Sequence, residues 1–302
     1  MPRNVPRDAQ KLTAALAVII LTFSRLSAPS AGGAASTDHG AYLAAAAGCD
    51  QCHTDWQNGG RLYAGGRPLE TRFGTVFAPN ITPDRESGIG HWGLADFERA
   101  MRWGIAPDDS HYLPVFPFPF YNRLTQGDLT DLKAFLDSLA PVSRVDSAAR
   151  ASIFSTVRVR AAIMIVDEQF PGPWQFDTTK DSVWNRGAYL VATVGRCGDC
   201  HTPRNWLGAR VLTRSLGGAT AGPNGKAVPN ITPDAETGIG KWSEDDIVTL
   251  LKDGQTPEFD FVGGAMAEIV KNTARLTDAD RRAIAVYLRT LPPVRSERRA
   301  GK

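Results

Sequence analysis

Two five-residue motifs, CDQCH at 49–53 and CGDCH at 197–201, hold all four cysteines of this 302-residue chain and constrain it more than any other feature. Each lies in a matching context. GAYLAAAAGCDQCHT (40–54) pairs with GAYLVATVGRCGDCHT (187–202), the second carrying one extra residue ahead of its motif. NITPDRESGIGHW (80–92) pairs with NITPDAETGIGKW (230–242), and RWG (102–104) with KDG (252–254). LTQGDLTDLKAFLDSL (124–139) pairs with LTDADRRAIAVYLRTL (276–291). The chain is a tandem repeat, so whatever one motif does is expected twice.

An even number of cysteines fits disulfides, and two CxxC pairs fit zinc, but neither uses the histidine that follows each pair. Covalent haem attachment uses every residue. Two thioether bonds to the vinyl groups need thiols about one helical turn apart, and the adjacent His then faces the iron as its proximal ligand. The pattern predicts two haem c groups, held by Cys49 and Cys52 and by Cys197 and Cys200, with His53 and His201 as proximal axial ligands.

The flanking segments predict the architecture. A helix leads into each motif, a long Gly/Pro-rich loop follows, a second helix starts near Trp92 or Trp242, and an irregular loop precedes a closing helix. In the closing segments Thr125 and Thr277 are placed to cap. Leu129, Leu132, Phe135, Leu136 and Leu139 recur at helical spacing, as do Ile284, Tyr287, Leu288 and Leu291. Pro141 and Pro292 end these helices. Three to four helices round a covalently held haem is the cytochrome c plan. The expected fold is all-α: two tandem class I cytochrome c-like domains at 36–141 and 185–294, each wrapped round a haem, with an extended linker at 142–184 and a tail at 295–302. The linker contains a helical pattern, FSTVRVRAAIMIV (154–166), and an extended FPGPWQF (170–176).

Residues 1–35 read as a signal peptide. Arg3, Arg7 and Lys11 precede the apolar run LTAALAVIILTF (12–23), and small residues follow. Twelve apolar residues are short for a bilayer span, which needs about 20; an uncleaved anchor is the alternative. Export to the periplasm is expected. Residues 1–31 carry four Lys/Arg and one Asp, so without them the net charge of +2 becomes about −1, which argues against a nucleic-acid partner. No second apolar segment is present, so no membrane span is expected in the mature chain.

The combination of GAYL and CxxCHT, NITPD and GIGxW, a linker ending NRGAYL (185–190), and HTPRN (201–205) resembles the cytochrome c subunits of bacterial periplasmic dehydrogenases. That family serves alcohol, sugar and aldehyde dehydrogenases and some molybdenum hydroxylases. The resemblance covers everything after the signal peptide and implies an electron-transfer role beside a partner dehydrogenase. Many family members have three haem domains and a C-terminal membrane segment. This sequence holds two motifs and reaches Lys302 without such a segment, a departure that counts against direct quinone reduction at the membrane.

A low-spin electron-transfer haem also needs a distal ligand, usually a Met whose thioether favours Fe(II). In the second repeat this is Met266, in the Gly-rich stretch GGAM, 65 residues after His201. The aligned residue of the first repeat is Phe116, which has no donor atom; it is expected to plug the pocket within PVFPFPF. The other donors are Met101, Met164, His39, His91, His111 and Lys133. Met101 ranks first, because its counterpart Leu251 stands where such domains cover the distal haem face. His111, five residues before Phe116, ranks second and would give a bis-His haem; an open site and then Met164 follow. Asn80 and Asn230 are expected to fix the NITPD loops, and Trp92 and Trp242 to pack the pockets. Arg204 and Asn205 are candidates to reach a propionate.

Two functional readings follow. The first is a periplasmic dihaem cytochrome that carries electrons from a dehydrogenase to a downstream acceptor and is not itself an enzyme. The second is a dihaem peroxidase-like enzyme with an open first haem, motivated by Phe116 alone. No phosphate-binding glycine loop, nucleophile elbow or HExxH motif is present.

Overall fold

The structure is a computed structural model that describes residues 34–71, 74–113, 115–144, 171–206, 208–222 and 225–296. The signal-peptide segment up to residue 33, the helical pattern at 154–166 with Met164, and residues 297–302 lie outside the described residues. Both repeats belong to one unit, Ala35–Lys302.

In the first repeat α1 (Thr37–Ala47) runs into a short α2 (Cys49–Cys52), a loop leads to α3 (Leu94–Trp103), and α4 (Phe118–Tyr121) precedes α5 (Gln126–Ser138). In the second, α6 (Ser182–Tyr189) continues as a π turn (Leu190–Val194) into α7 (Cys197–His201). Then come α8 (Glu244–Asp253), α9 (Gly264–Thr273) and α10 (Asp278–Arg289). Thr125 and Thr277 cap the closing helices as expected, each accepting from the backbone N–H three residues on at 3.1 Å. Within each repeat the first helix crosses the last at a glycine. A methyl group at Gly40 would lie 2.0 Å from the Asp131 carbonyl oxygen, and one at Gly187 would lie 1.9 Å from that of Ala283.

Two features depart from the sequence reading. The loop after the first motif contains a hairpin, β1 (Pro68–Thr71) with β2 (Gly74–Phe77), paired antiparallel from Pro68↔Phe77 to Thr71↔Gly74. Its second strand is a short run of β-formers, Thr75, Val76 and Phe77, with Val76 buried. Met266 lies not in an irregular loop but in the first turn of α9. Gly263 is extended there at φ −118°, and AMAEIVKN behind it is rich in helix formers.

The repeats join by exchanging one hydrogen-bonded pair in each direction. Tyr42 of α1 donates to Asp280 of α10 at 2.5 Å, and Tyr189 of α6 donates to Asp128 of α5. Each tyrosine oxygen also accepts from the cap residue of the opposite closing helix, Thr277 or Thr125, at 3.2 Å. This is the reciprocal pattern of a pseudo-twofold contact. The linker returns along the same seam: Gly172 and Trp174 donate to Asn122 Oδ1 and the Arg123 carbonyl at 2.8 and 2.9 Å. One continuous apolar core therefore runs from Leu43 and Leu129 through Tyr121 and Tyr189 to Leu251 and Ile284.

Candidate haem sites

Each CxxCH motif closes a helical turn that its own loop then buttresses. The four cysteines form no disulfide, and among the described residues no three His, Cys, Asp or Glu side chains converge as a metal-binding group. Burial pushes the thiols of Cys49 and Cys197 up to about 12, so both stand as neutral thiols rather than thiolates.

The two histidines are held alike. His53 Nδ1 lies 2.7 Å from the Pro79 carbonyl oxygen, and His201 Nδ1 lies 2.8 Å from that of Pro229. A carbonyl oxygen only accepts, so in the neutral ring Nδ1 carries the proton and Nε2 keeps its lone pair. That is the tautomer an axial ligand needs, with ring orientation and basicity set by the second partner. Burial lowers the His201 pKa below the ordinary imidazole value, favouring the neutral ring further.

A glycine makes the geometry possible in each repeat. Gly65 and Gly218 donate to the His53 and His201 carbonyls at 2.8 Å, with φ of +75° and +83°. A methyl group there would lie 2.6 and 2.8 Å from the amide nitrogens of Asn80 and Asn230. Those asparagines are buried, and each fixes its NITPD loop. Asn80 Oδ1 accepts from Thr82 N and Oγ1 at 2.9 and 2.8 Å, and its amide donates to Val142 O at 2.7 Å. Asn230 repeats this with Thr232 at 2.8 and 2.8 Å and with Val294 O at 2.6 Å. Trp92 and Trp242 are partly buried and pack against the core.

The donor set fits covalent haem c. Each repeat offers two thiols one turn apart and a histidine oriented through Nδ1. Cys49 and Cys52 would hold the first group and Cys197 and Cys200 the second, with His53 and His201 toward the iron.

After α3 and α8 the two loops share one register. Ile105 bridges His111 as Gln255 bridges Phe261, and Tyr112 and Val262 donate to Gly104 and Gly254 at 2.8 and 2.9 Å. Five residues on from His111 and Phe261 stand Phe116, just ahead of α4, and Met266, within α9. Met266 is half-buried. The Phe116 ring lies against Tyr112, Tyr121 and Phe118, with centroids at 5.6, 5.9 and 6.5 Å. Met101 of α3 is 8% exposed and belongs to the core with Phe97 and Tyr121, where Leu251 stands at 7% in the second repeat. His111 is exposed. His39 bonds Asp131 at 2.7 Å, Lys133 pairs with Asp137, and His91 lies 3.3 Å from Arg85. Arg204 is tied to Asp199 of the second motif at 2.5 Å, and Asn205 closes its own turn by accepting from Ala209 N at 3.0 Å.

Sequence reasoning missed the Pro79 and Pro229 carbonyls and the Tyr–Asp exchange. The signal was present, since AP or VP precedes both NITPD segments and GAYL and LTxxD both recur. A linear repeat, however, does not say that a tyrosine meets the other copy's aspartate.

A largely helical chain with duplicated CxxCH turns and carbonyl-oriented histidines defines a c-type cytochrome. No family model matches the chain. Among curated proteins it is 42% identical to a "Diheme cytochrome c-type" of Cereibacter sphaeroides, over 82% of this chain and 83% of that protein. It is 38% identical to the "Fructose dehydrogenase cytochrome subunit" of Gluconobacter japonicus, over 85% of this chain and 53% of the relative. It is 34% identical to the "Alcohol dehydrogenase (quinone), cytochrome c subunit" of Gluconobacter oxydans, over 98% of this chain and 63% of the relative. The chain thus spans most of the first relative and little more than half of the other two. It belongs to the family of cytochromes c that includes dihaem cytochromes and the cytochrome c subunits of bacterial dehydrogenases.

Proposed function

We propose that the chain is a periplasmic dihaem cytochrome c, two tandem domains each folded round one covalent haem c, which passes electrons from a partner dehydrogenase to a downstream acceptor. The observation that carries this reading is the duplicated His–carbonyl geometry beside two pairs of unbridged thiols. The relatives named as dehydrogenase cytochrome subunits support the dehydrogenase partner, and the N-terminal pattern supports export. No helix among the described residues is long and apolar enough to cross a membrane.

Haem, when bound, supplies the one-electron iron couple. The chain's part is to hold it and set its surroundings. His53 and His201 present Nε2, and Pro79 and Pro229 fix their rings. Met266 would be the second iron ligand of the second haem. For the first haem that ligand would be Met101, with His111 next in order, and Phe116 packs in the aromatic cluster of Tyr112 and Tyr121. The role is electron transfer rather than substrate turnover.

The test is haem content by pyridine haemochrome, followed by mixing of the oxidised protein with a fructose or alcohol dehydrogenase stripped of its own cytochrome subunit, and that enzyme's substrate. Two c haems per chain, both reduced on mixing, is the expected result. A single haem, or turnover with peroxide in the absence of any partner, overturns it.

A further inference from the structure

The extra residue of the second repeat has a structural consequence. It is taken up in the π turn Leu190–Val194, closed by Gly195 N donating to Leu190 O at 2.7 Å. The residue before the first cysteine of each motif is left-handed, and in the first repeat it is Gly48, at φ 69°, ψ 35°. In the second it is Arg196, at φ 50°, ψ 35°. This conformation disfavours a residue with a side chain, so the fold holds this arginine in place against a local preference.

Its side chain crosses the seam into the first repeat. The guanidinium lies 5.6 Å from the Tyr121 ring centroid and donates to the Ala47 carbonyl at 3.5 Å, two residues before Cys49. Tyr121 in turn packs on Phe116 at 5.9 Å, on the distal side of the first pocket. The side chain is only 20% exposed, and its buried Nε has no hydrogen-bond partner. The nearest carboxylate is Asp199 of its own motif, at 3.9 Å. Its contacts thus reach the segment just before Cys49 through Ala47 and its own motif through Asp199. One arginine therefore stands against both attachment motifs.

The opposite crossing is built differently. Asp50 of the first motif is buried against Arg275 of the second repeat at 2.9 Å, and Gln51 donates to Asn272 at 3.1 Å. There a cation meets a carboxylate and is neutralised. At the Arg196 crossing it meets an aromatic ring and a carbonyl of the first repeat, and its one carboxylate, Asp199 at 3.9 Å, is shared with Arg204 at 2.5 Å.

We propose that Arg196 is a tuning residue for the first haem: a fixed positive charge, carried on the second repeat's attachment segment, that raises the first haem's reduction potential. The proposal rests on the reading that both motifs carry haem c. An oxidised haem bears one more positive charge than a reduced one. A cation lodged beside it, largely shielded from water, therefore disfavours the oxidised form.

The test is spectroelectrochemical titration of the holoprotein and of Arg196→Lys, Arg196→Gln and Arg196→Gly, with the first haem assigned by a Cys49→Ala/Cys52→Ala variant that lacks it. Lys keeps charge and backbone strain, Gln keeps only the strain, and Gly removes both. The expected result is that Gln and Gly each lower the first haem's reduction equilibrium about tenfold, a shift of about 59 mV for one electron. Lys should stay within about twofold of the parent. Equal shifts in all three variants would assign Arg196 to packing, and no shift in Gln or Gly would overturn the proposal outright. Haem content is measured on the same samples. Fewer than two haems in the parent would overturn the dihaem reading itself, whereas two haems with unmoved potentials sink only the role of Arg196.

Discussion

The two repeats agree on one side of the candidate haem site and disagree on the other. Behind each histidine the parts match to within a few tenths of an ångström: the Pro79 and Pro229 carbonyls, the Gly65 and Gly218 amides, and the Asn80 and Asn230 clamps. Elsewhere Phe116 stands in place of Met266 and Met101 in place of Leu251, and near the seam Arg196 stands in place of Gly48 and Arg186 in place of His39. The difference has a physical cause. Orienting a histidine through a backbone carbonyl demands close main-chain approach and a positive φ, which few sequences satisfy. The distal wall and the seam are made of side chains, which can change one at a time and alter a ligand or a charge without moving the chain.

The largest effect that tests this comparison is loss of a haem. Cys49→Ala/Cys52→Ala and Cys197→Ala/Cys200→Ala should each halve the haem content per chain, read by pyridine haemochrome. A pair that left the content at two would place attachment elsewhere. The distal difference comes next. Carbon monoxide added to the fully reduced parent should bind at neither haem. Met266→Ala should open one haem of two to carbon monoxide and Met101→Ala the other, while Phe116→Ala should open none. Rapid binding to the parent at one haem would leave the first haem without a strong distal ligand.

The matched side should break by stability rather than by ligation. Gly65→Ala and Gly218→Ala each place a methyl group under 3 Å from backbone in a left-handed residue. Each should cost about 3 kcal/mol of unfolding free energy, at the upper end of ordinary single substitutions. Thermal or denaturant unfolding of the holoprotein would read it, and unequal losses would mean that one repeat tolerates the strain better.

Most of this was legible in the sequence where a motif recurs with its spacing. The CxxCH turns, the closing helices capped at Thr125 and Thr277, and the NITPD clamps all stand where the repeat places them. Three things were not. The helix at Met266 was hidden by GGAM, because two glycines read as a loop, whereas Gly263 serves as the cap. The hairpin at 68–77 has as its described counterpart only the isolated antiparallel bridge Ala219↔Val228, in a segment of unlike sequence, so comparing the copies did not reveal it. The seam was hidden for a deeper reason. Its contacts join unlike positions of opposite copies, Tyr42 with Asp280 and Tyr189 with Asp128, and periodicity reports only like positions.

The smallest expected effect probes that seam. Asp280 accepts from Tyr42 at 2.5 Å and from Arg186 Nε and Nη2 at 2.8 and 2.7 Å. Asp128 accepts from Tyr189, and His39 Nδ1 lies 3.8 Å away. Asp280→Asn should therefore destabilise more than Asp128→Asn, by about 1–3 kcal/mol against about 1 kcal/mol. The acid dependence follows from the shift at Asp280. Burial alone would raise its pKa, but the Arg186 and Tyr42 bonds outweigh burial and hold it below the ordinary carboxylate value. A carboxylate depressed in the folded state contributes stability that is complete above its unfolded pKa of about 3.9 and fades as the pH falls through the lower folded value. The gap in unfolding free energy between the parent and Asp280→Asn should be constant from pH 5 to 7 and close below about pH 4. A gap that persisted unchanged into that acid range would show that the Arg186–Asp280–Tyr42 cluster holds the repeats together by shape rather than by charge.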